Sequence, residues 1–294
     1  HGATGKGNDQ VRFELTAYAL KPDVRIIAPW RDPKFRAELP GRQELIAYAA
    51  KYGIPVKATT GEPWSSDDNL MHISFEAGML EDPAVRPLDR MSEKTRRLED
   101  TAPERETVTI QFAHGVPVAV NGRSDSSAGL LAMANELGAR HGIGRVDIVE
   151  SRYVGMKSRG VYETPGATIL MAAHQDLEGL TVGGDLLHTK ATLAVRFAQM
   201  VYQGYWFTEE MLALRAFLDV SQQHVCGSVT LELYCGNVIV VGRESPRSLY
   251  DAAVASMEAD GGAYDQRDAT GFIRLHALPL RVAARRAAAL HDAE

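Results

Sequence analysis

Three glycines lie within the first seven residues of the run His1-Gly2-Ala3-Thr4-Gly5-Lys6-Gly7-Asn8-Asp9-Gln10-Val11-Arg12-Phe13-Glu14, which passes directly into a helical pattern. Glycine lets a backbone approach a ligand closely, and a helix N-terminus offers unpaired N–H groups and the positive end of a dipole. A loop of this kind normally follows a strand, yet here it stands at residue 1 with no Met before it. The expectation is a chain that begins in mid-domain, with its first strand upstream.

Behind the loop, Val11, Leu15 and Tyr18 recur at helical spacing until Lys21-Pro22 ends the helix, with Asn8 or Asp9 as its cap. Val24 to Pro29 then reads as a buried strand, Gln43 to Tyr52 as a helix closed by Gly53, and Ile54-Pro55-Val56 as a short strand. Strand, helix, strand is the signature of parallel α/β structure, here the second half of a doubly wound nucleotide-binding domain.

Asp82 to Glu106 is rich in Pro, Arg, Asp and Glu with weak periodicity, and reads as an extended surface connection. From Val108 the period changes to two. Val108, Ile110 and Phe112 alternate, His114-Gly115 turns, Val116, Val118 and Val120 alternate again, and Asn121-Gly122 makes a tight turn. Helical periods follow at 130–137, 167–180, 193–202 and 209–220, then a second hairpin from Val229 through Cys235-Gly236-Asn237 to Val241. Strands and helices without regular alternation predict an α+β region, and Leu280 to Leu290 a C-terminal helix. The domains expected are 1–57, 58–275 and a helical tail at 276–294.

With 294 residues, 45% of them hydrophobic, the chain can bury a substantial core. No apolar run reaches membrane-spanning length and no signal peptide opens the chain, so the expectation is a cytoplasmic protein without a membrane partner. A net charge of −6 argues against a nucleic-acid partner. The two cysteines, Cys226 and Cys235, fit neither a zinc knuckle nor a redox Cys-x-x-Cys pair and read as reduced thiols.

The opening loop lacks the gap and the Ser or Thr after Lys that a Walker A loop requires. If the helix begins near Asn8, then Asn8 and Arg12 stand one turn apart on one face, with Asp9 beside them. A guanidinium fork suits a carboxylate, an Asp holds an ammonium, and an Asn supplies donor and acceptor. Together they suit amino-acid zwitterions, although a capped helix with a surface Asp–Arg pair carries the same residues.

The run Gly2 to Glu14 resembles the substrate loop of the argininosuccinate synthase family. The segment Pro63-Trp64-Ser65-Ser66-Asp67-Asp68-Asn69-Leu70-Met71-His72-Ile73-Ser74 and the blocks Gly144 to Arg152 and Gly155 to Gly166 are similar to further motifs of that family, in the same order. The similarity continues through Leu231 to Gly242, Ser245 to Tyr250 and Tyr264-Asp265-Gln266. The resemblance implies a Rossmann-like domain of the adenine nucleotide α-hydrolase type followed by an α+β synthetase domain with an antiparallel sheet. It implies ATP contact at Gly2, aspartate contacts at Thr4, Asn8 and Asp9, and citrulline contacts at Asn8, Arg12, Ser65, Ser74, Glu150 and Tyr162. Asn8 and Arg12 are then the catalytic candidates. It also implies ATP as co-substrate with Mg2+ carried on the nucleotide, no metal site on the protein, and a homotetramer. His72, Lys157 and Arg159 stay without an assigned role.

The family's Ser-Gly-Gly-x-Asp-x-Ser pyrophosphate loop does not occur in the chain, and Gly183-Gly184-Asp185 lies between helical stretches rather than after a strand. Three readings follow: an argininosuccinate synthase seen from its loop onward, a non-catalytic binding and assembly module, or one half of a split enzyme. The first is favoured because the separated motifs all keep their ligand residues. The 294 residues alone are expected not to complete the reaction.

Overall fold

The computed structural model describes residues 1–56, 64–256 and 264–291, with the backbone only of Arg42. Pro63 and the expected boundary at residue 57 lie outside the described residues. The chain divides into two compact units, His1–Leu249 and Tyr250–Glu294.

The first unit opens with the loop and helix α1 (Asp9–Leu20), then the short helix α2 (Pro33–Glu38), capped by Asp32, and α3 (Arg42–Lys51). Gly53, at φ +64°, follows α3 as expected, since a left-handed residue there carries no Cβ penalty. The two expected strands do not form. Residues 24–28 run without a ladder, alternately half-buried and exposed, and Ile27 is 70% exposed; residues 54–56 likewise join no ladder, and Ile54 N donates back to Ala49 O of α3 at 2.9 Å. The alternation that predicts a strand is present, but a strand needs a hydrogen-bonding neighbour. The N-terminal amine of His1 donates to Ile27 O at 3.0 Å.

Two four-stranded antiparallel sheets follow. The first contains β1 (Ser65–Asp68), β2 (Ile73–Glu76) and the hairpin β5 (Arg145–Ser151) and β6 (Lys157–Glu163), in the order β1-β2-β6-β5. The second contains β3 (Glu106–Ala113), β4 (Val116–Val120), β7 (Gly227–Tyr234) and β8 (Asn237–Glu244), in the order β4-β3-β7-β8. Here the period-two reading holds on β3 and β7, whose alternate apolar residues are buried, while on β4 a register shift leaves Val120 buried but Val116 and Val118 exposed. His114-Gly115 and Cys235-Gly236 take positive φ at both positions, as a two-residue turn matched to strand twist requires.

Helices α4 (Ser127–Arg140), α5 (Pro165–Thr181), α6 (Gly184–Gln203) and α7 (Glu209–Ser221) complete the unit. Leu130 and Leu137 of α4 and Ile169, Ala173 and Leu177 of α5 close over Val108, Ile110, Phe112, Val229, Leu231 and Leu233 of the second sheet. Full burial of a side chain of this size contributes roughly 1.5–3 kcal/mol, so this layer is the main core. On the first sheet, Ile73 and Phe75 pack with Leu80 and Met91, and against Trp64, Met79, Leu88 and Val161.

The charged connection at 82–106 is extended but anchored. Glu163, 1% exposed, accepts backbone N–H bonds from Glu93 (2.8 Å), Lys94 (2.8 Å) and Thr95 (3.1 Å) and a bond from the Thr95 hydroxyl. Arg159 forks onto both oxygens of Asp147 at 2.8 and 2.7 Å and donates to the carbonyls of Asp82 and Val85. Both side chains stand on the core side of β6, so their polar groups must be matched by this segment.

The second unit holds α8 (Ala252–Ala255), α9 (Asp268–His276) and α10 (Leu278–His291). Leu280, Val282 and Leu290 on α10 are 71%, 60% and 63% exposed.

Candidate active site

Strand register gathers the site. Residues directly opposite in an antiparallel pair share a face, as do alternate residues of one strand. Ser74 lies opposite Asp67 and Tyr162, Glu76 opposite Ser65 and Gly160, and Glu150 opposite Ser158. Ser65, Ser74, Glu76, Glu150 and Tyr162 therefore line one face of the first sheet, while Ile73, Phe75 and Val161 fill the other. Four of these five were expected from sequence; Glu76 was not.

Gly160 makes room on this face. A Cβ there would sit 2.6 Å from the Tyr162 hydroxyl and 2.7 Å from its ring, so the absent side chain lets the tyrosine lie along β6. The Tyr162 hydroxyl then donates to Glu150 Oε1 at 3.3 Å. Burial, reinforced by the Glu150 and Glu76 carboxylates, pushes the Tyr162 phenol above its ordinary pKa. It stays a hydrogen-bond donor across the physiological range.

Acidic groups concentrate beside it. Burial raises the Glu76 carboxyl above its ordinary range, Arg152 opposes the shift, and Glu150, Asp67 and Asp9 add to it. Like charges brought together favour the protonated form of one of them, and Arg152 offsets part of that charge. Arg152 donates to Glu76 Oε2 at 2.8 Å, to Ser158 Oγ at 2.9 Å and to Lys6 O at 3.3 Å, tying the opening loop to the sheet.

The loop itself turns at Thr4, where Gly7 N donates to Thr4 O at 3.0 Å, and its turn is braced by Gln10 donating to Gly5 O at 2.8 Å. Gly2 and Thr4 are exposed, and a Cβ on Gly2 would meet nothing within 4 Å. Asn8 sits at the N-cap of α1 but makes no side-chain cap, because its own backbone is already helical and its side chain turns the other way. Its Oδ1 accepts from Tyr153 N at 2.7 Å and its Nδ2 donates to the Tyr202 hydroxyl at 2.5 Å. Arg12 pairs with Asp9, lies over the Tyr202 ring at 5.6 Å, and donates to Tyr202 O at 3.4 Å. Gly204, at φ +87°, lets α6 end against α1, since a Cβ there would fall 2.9 Å from Arg12 Cα.

The structure thus brings Asn8, Asp9 and Arg12 together on α1 and joins the loop to the face bearing Ser65, Ser74, Glu150 and Tyr162. Tyr202, Tyr153, Arg152 and Gly160 were missed. Only the period-two spacing of Ser74 and Glu76 carried a usable signal for Glu76; Tyr202 is 194 positions from its partner. His72 bonds Asn69 at 3.1 Å and its ring lies 6.3 Å from that of Tyr162. Lys157 donates to Ser151 Oγ at 2.7 Å.

A HUP domain, the nucleotide-binding class, is the first assignment. Residues 1–55 match the family model for the argininosuccinate synthase N-terminal HUP domain, and residues 64–283 the model for the C-terminal domain of the same family. The chain is 53% identical to the argininosuccinate synthase of Desulfatibacillum aliphaticivorans over 282 residues, covering 96% of this chain and 69% of that protein. It is 51% identical to that of Alkalilimnicola ehrlichii over 289 residues, covering 97% and 71%, and 53% identical to that of Dechloromonas aromatica over 288, covering 97% and 61%. The chain belongs to the argininosuccinate synthase family. The HUP match agrees with the α/β reading of the front of the sequence, and the antiparallel sheets and C-terminal helices with the α+β reading of the rest.

Proposed function

We propose that this protein joins L-citrulline to L-aspartate at the expense of ATP, giving argininosuccinate, AMP and pyrophosphate, as a step in arginine biosynthesis. The observation that carries the reading is the single face bearing Ser65, Ser74, Glu150 and Tyr162, tied through Arg152 and Asn8 to the loop of a family member. A ureido oxygen is a poor nucleophile and a poor leaving group. Its attack on the α-phosphorus expels pyrophosphate and makes a citrulline adenylate; aspartate's amine then adds to the activated carbon, AMP departs, and a proton is released.

Little covalent chemistry falls to the protein, so placement of the reactants carries the rate, an effect worth roughly 7–11 kcal/mol of barrier when complete. Arg12 holds citrulline's carboxylate, Glu150 its ammonium, and Ser65, Ser74 and Tyr162 complete its contacts. Thr4 and Asp9 orient aspartate, and Asn8 aligns its amine with the adenylate. The Arg12–Asp9 pair is solvent-accessible on both sides, and exposed pairs contribute only about 0–1 kcal/mol. An incoming carboxylate and ammonium can therefore replace the pair one for one with no change in local charge.

ATP approaches along Gly2, where the backbone is open, with Mg2+ travelling on its phosphates. The working division of labour is 1–57 for nucleotide and loop, 58–275 for the amino acids, and 276–294 for assembly. A homotetramer would cover the exposed apolar side chains of α10, and light scattering reads its mass. No described helix is long and apolar enough to cross a membrane, and the cytoplasm suits the substrates. Arg12→Ala is expected to raise the citrulline KM at least tenfold in the full chain with the ATP KM little changed; unaltered citrulline affinity would refute the Arg12 role.

A further inference from the structure

Asn8 is 9% exposed, and its amide is held at both ends. The Tyr153 backbone N–H can only donate, so the Asn8 atom 2.7 Å from it must be the oxygen. That fixes which way the amide points. Its nitrogen consequently faces the Tyr202 hydroxyl, which accepts from Asn8 and donates its own proton to Ser151 O at 3.0 Å. The bonds run in one direction, from Asn8 through Tyr202 to the end of β5, one residue beyond Glu150.

Tyr202 is itself held in place. It lies in the last turn of α6, with Gly204 closing the helix against Arg12 and the Arg12 guanidinium over its ring. Burial and the nearby Glu150 raise its phenol above the ordinary pKa, so the proton that the relay needs is present at neutral pH.

We propose that Tyr202 is a positioning residue for the reaction: it fixes the orientation of the Asn8 amide and links that amide to the strand carrying Glu150, without touching substrate itself. The proposal rests on the reading of Asn8 as a substrate-binding residue. Asn8 keeps one N–H and one oxygen lone pair beyond its protein partners, and these are what two amino acids can share. Without the Tyr202 hydroxyl, the amide nitrogen loses its acceptor, and the amide is pinned at the oxygen alone.

The test is a double-mutant cycle in the full chain, measuring steady-state kinetics for each substrate together with urea denaturation. Tyr202→Phe keeps the ring under Arg12 and removes only the hydroxyl. It is expected to raise the KM for citrulline and aspartate together by about fivefold, the effect of one neutral hydrogen bond, and to leave the KM for ATP within about twofold. In an Asn8→Ala background the same substitution is expected to change nothing further. An Asn8→Ala chain with unaltered kinetics would remove the substrate reading and the relay with it. An impaired Asn8→Ala chain beside a kinetically normal Tyr202→Phe chain overturns the relay alone. Equal effects of Tyr202→Phe with and without Asn8, or an ATP KM that rises as much as the others, would show a merely structural tyrosine and overturn it as well.

Discussion

Gly160→Ala separates the site from the fold. The added Cβ would lie 2.6 Å from the Tyr162 hydroxyl, where ordinary contact begins at 3.4 Å, so the ring must retreat by about 0.8 Å, the difference of the two. The Tyr162–Glu150 bond is already 3.3 Å long and does not survive that movement. Stability moves little. Gly160 has no left-handed φ, so alanine fits the backbone and restricts the unfolded chain, a gain of roughly 0.4–1 kcal/mol. Pushing the tyrosine off its rotamer costs about 0.5–1.5 kcal/mol, which leaves the fold within about 1 kcal/mol of where it began. Affinity moves more, because ångström-scale misplacement in a site costs up to about a hundredfold. The expected result is a citrulline KM raised about tenfold, close to 1.4 kcal/mol, with the urea midpoint nearly unchanged. Citrulline saturation curves and urea melts on the same preparation decide it. A normal citrulline KM, or an equal rise for Gly160→Ala when Tyr162 has already been replaced by alanine, would refute the argument.

Two further substitutions probe the carboxylates. Glu163→Gln sets an amide N–H against backbone N–H groups that now share a carboxylate, and the expected loss is about 1–3 kcal/mol, read as a lower urea midpoint with an unchanged m-value. Because Glu76 has its pKa raised in the folded chain, first by burial, the folded state favours its protonated form. Its contribution to stability is therefore complete below the ordinary value of 4.5 and is lost as pH climbs through the folded value. Relative to Glu76→Gln, the unsubstituted protein should lose stability as pH rises above 4.5, and a pH-independent difference in urea midpoints would count against the shift.

The second sheet was legible because its strands are long and amphipathic, and because His114-Gly115 and Cys235-Gly236 supply the turn chemistry locally. β1 was not. Ser65-Ser66-Asp67-Asp68 has no intrinsic preference for a strand and becomes one by pairing with β2, whose Ile73 and Phe75 are buried. The opposite error fell on residues 24–28, where favourable residues found no partner strand. In the site, α1 could be read because Asn8, Asp9 and Arg12 are neighbours on one helix. Tyr202 could not, since nothing local marks one helical tyrosine among several as the one that meets residue 8.

Asparagine at the start of a helix is ordinarily a stabilising choice, contributing about 1 kcal/mol by bonding the helix's free N–H groups. Asn8 occupies that position and gives its side chain to Tyr153 and Tyr202 instead. The opening turn of α1 therefore goes without the cap its sequence would lead one to count on. A redesign guided by helix-capping rules would select serine or aspartate at position 8, yet with the backbone there already helical the new side chain would not reach the free N–H groups, and the amide that holds Tyr153 and Tyr202 would be lost. Position 8 thus looks like a helix end in the sequence and works as a tertiary link in the fold, so local capping statistics point a designer to the wrong residue.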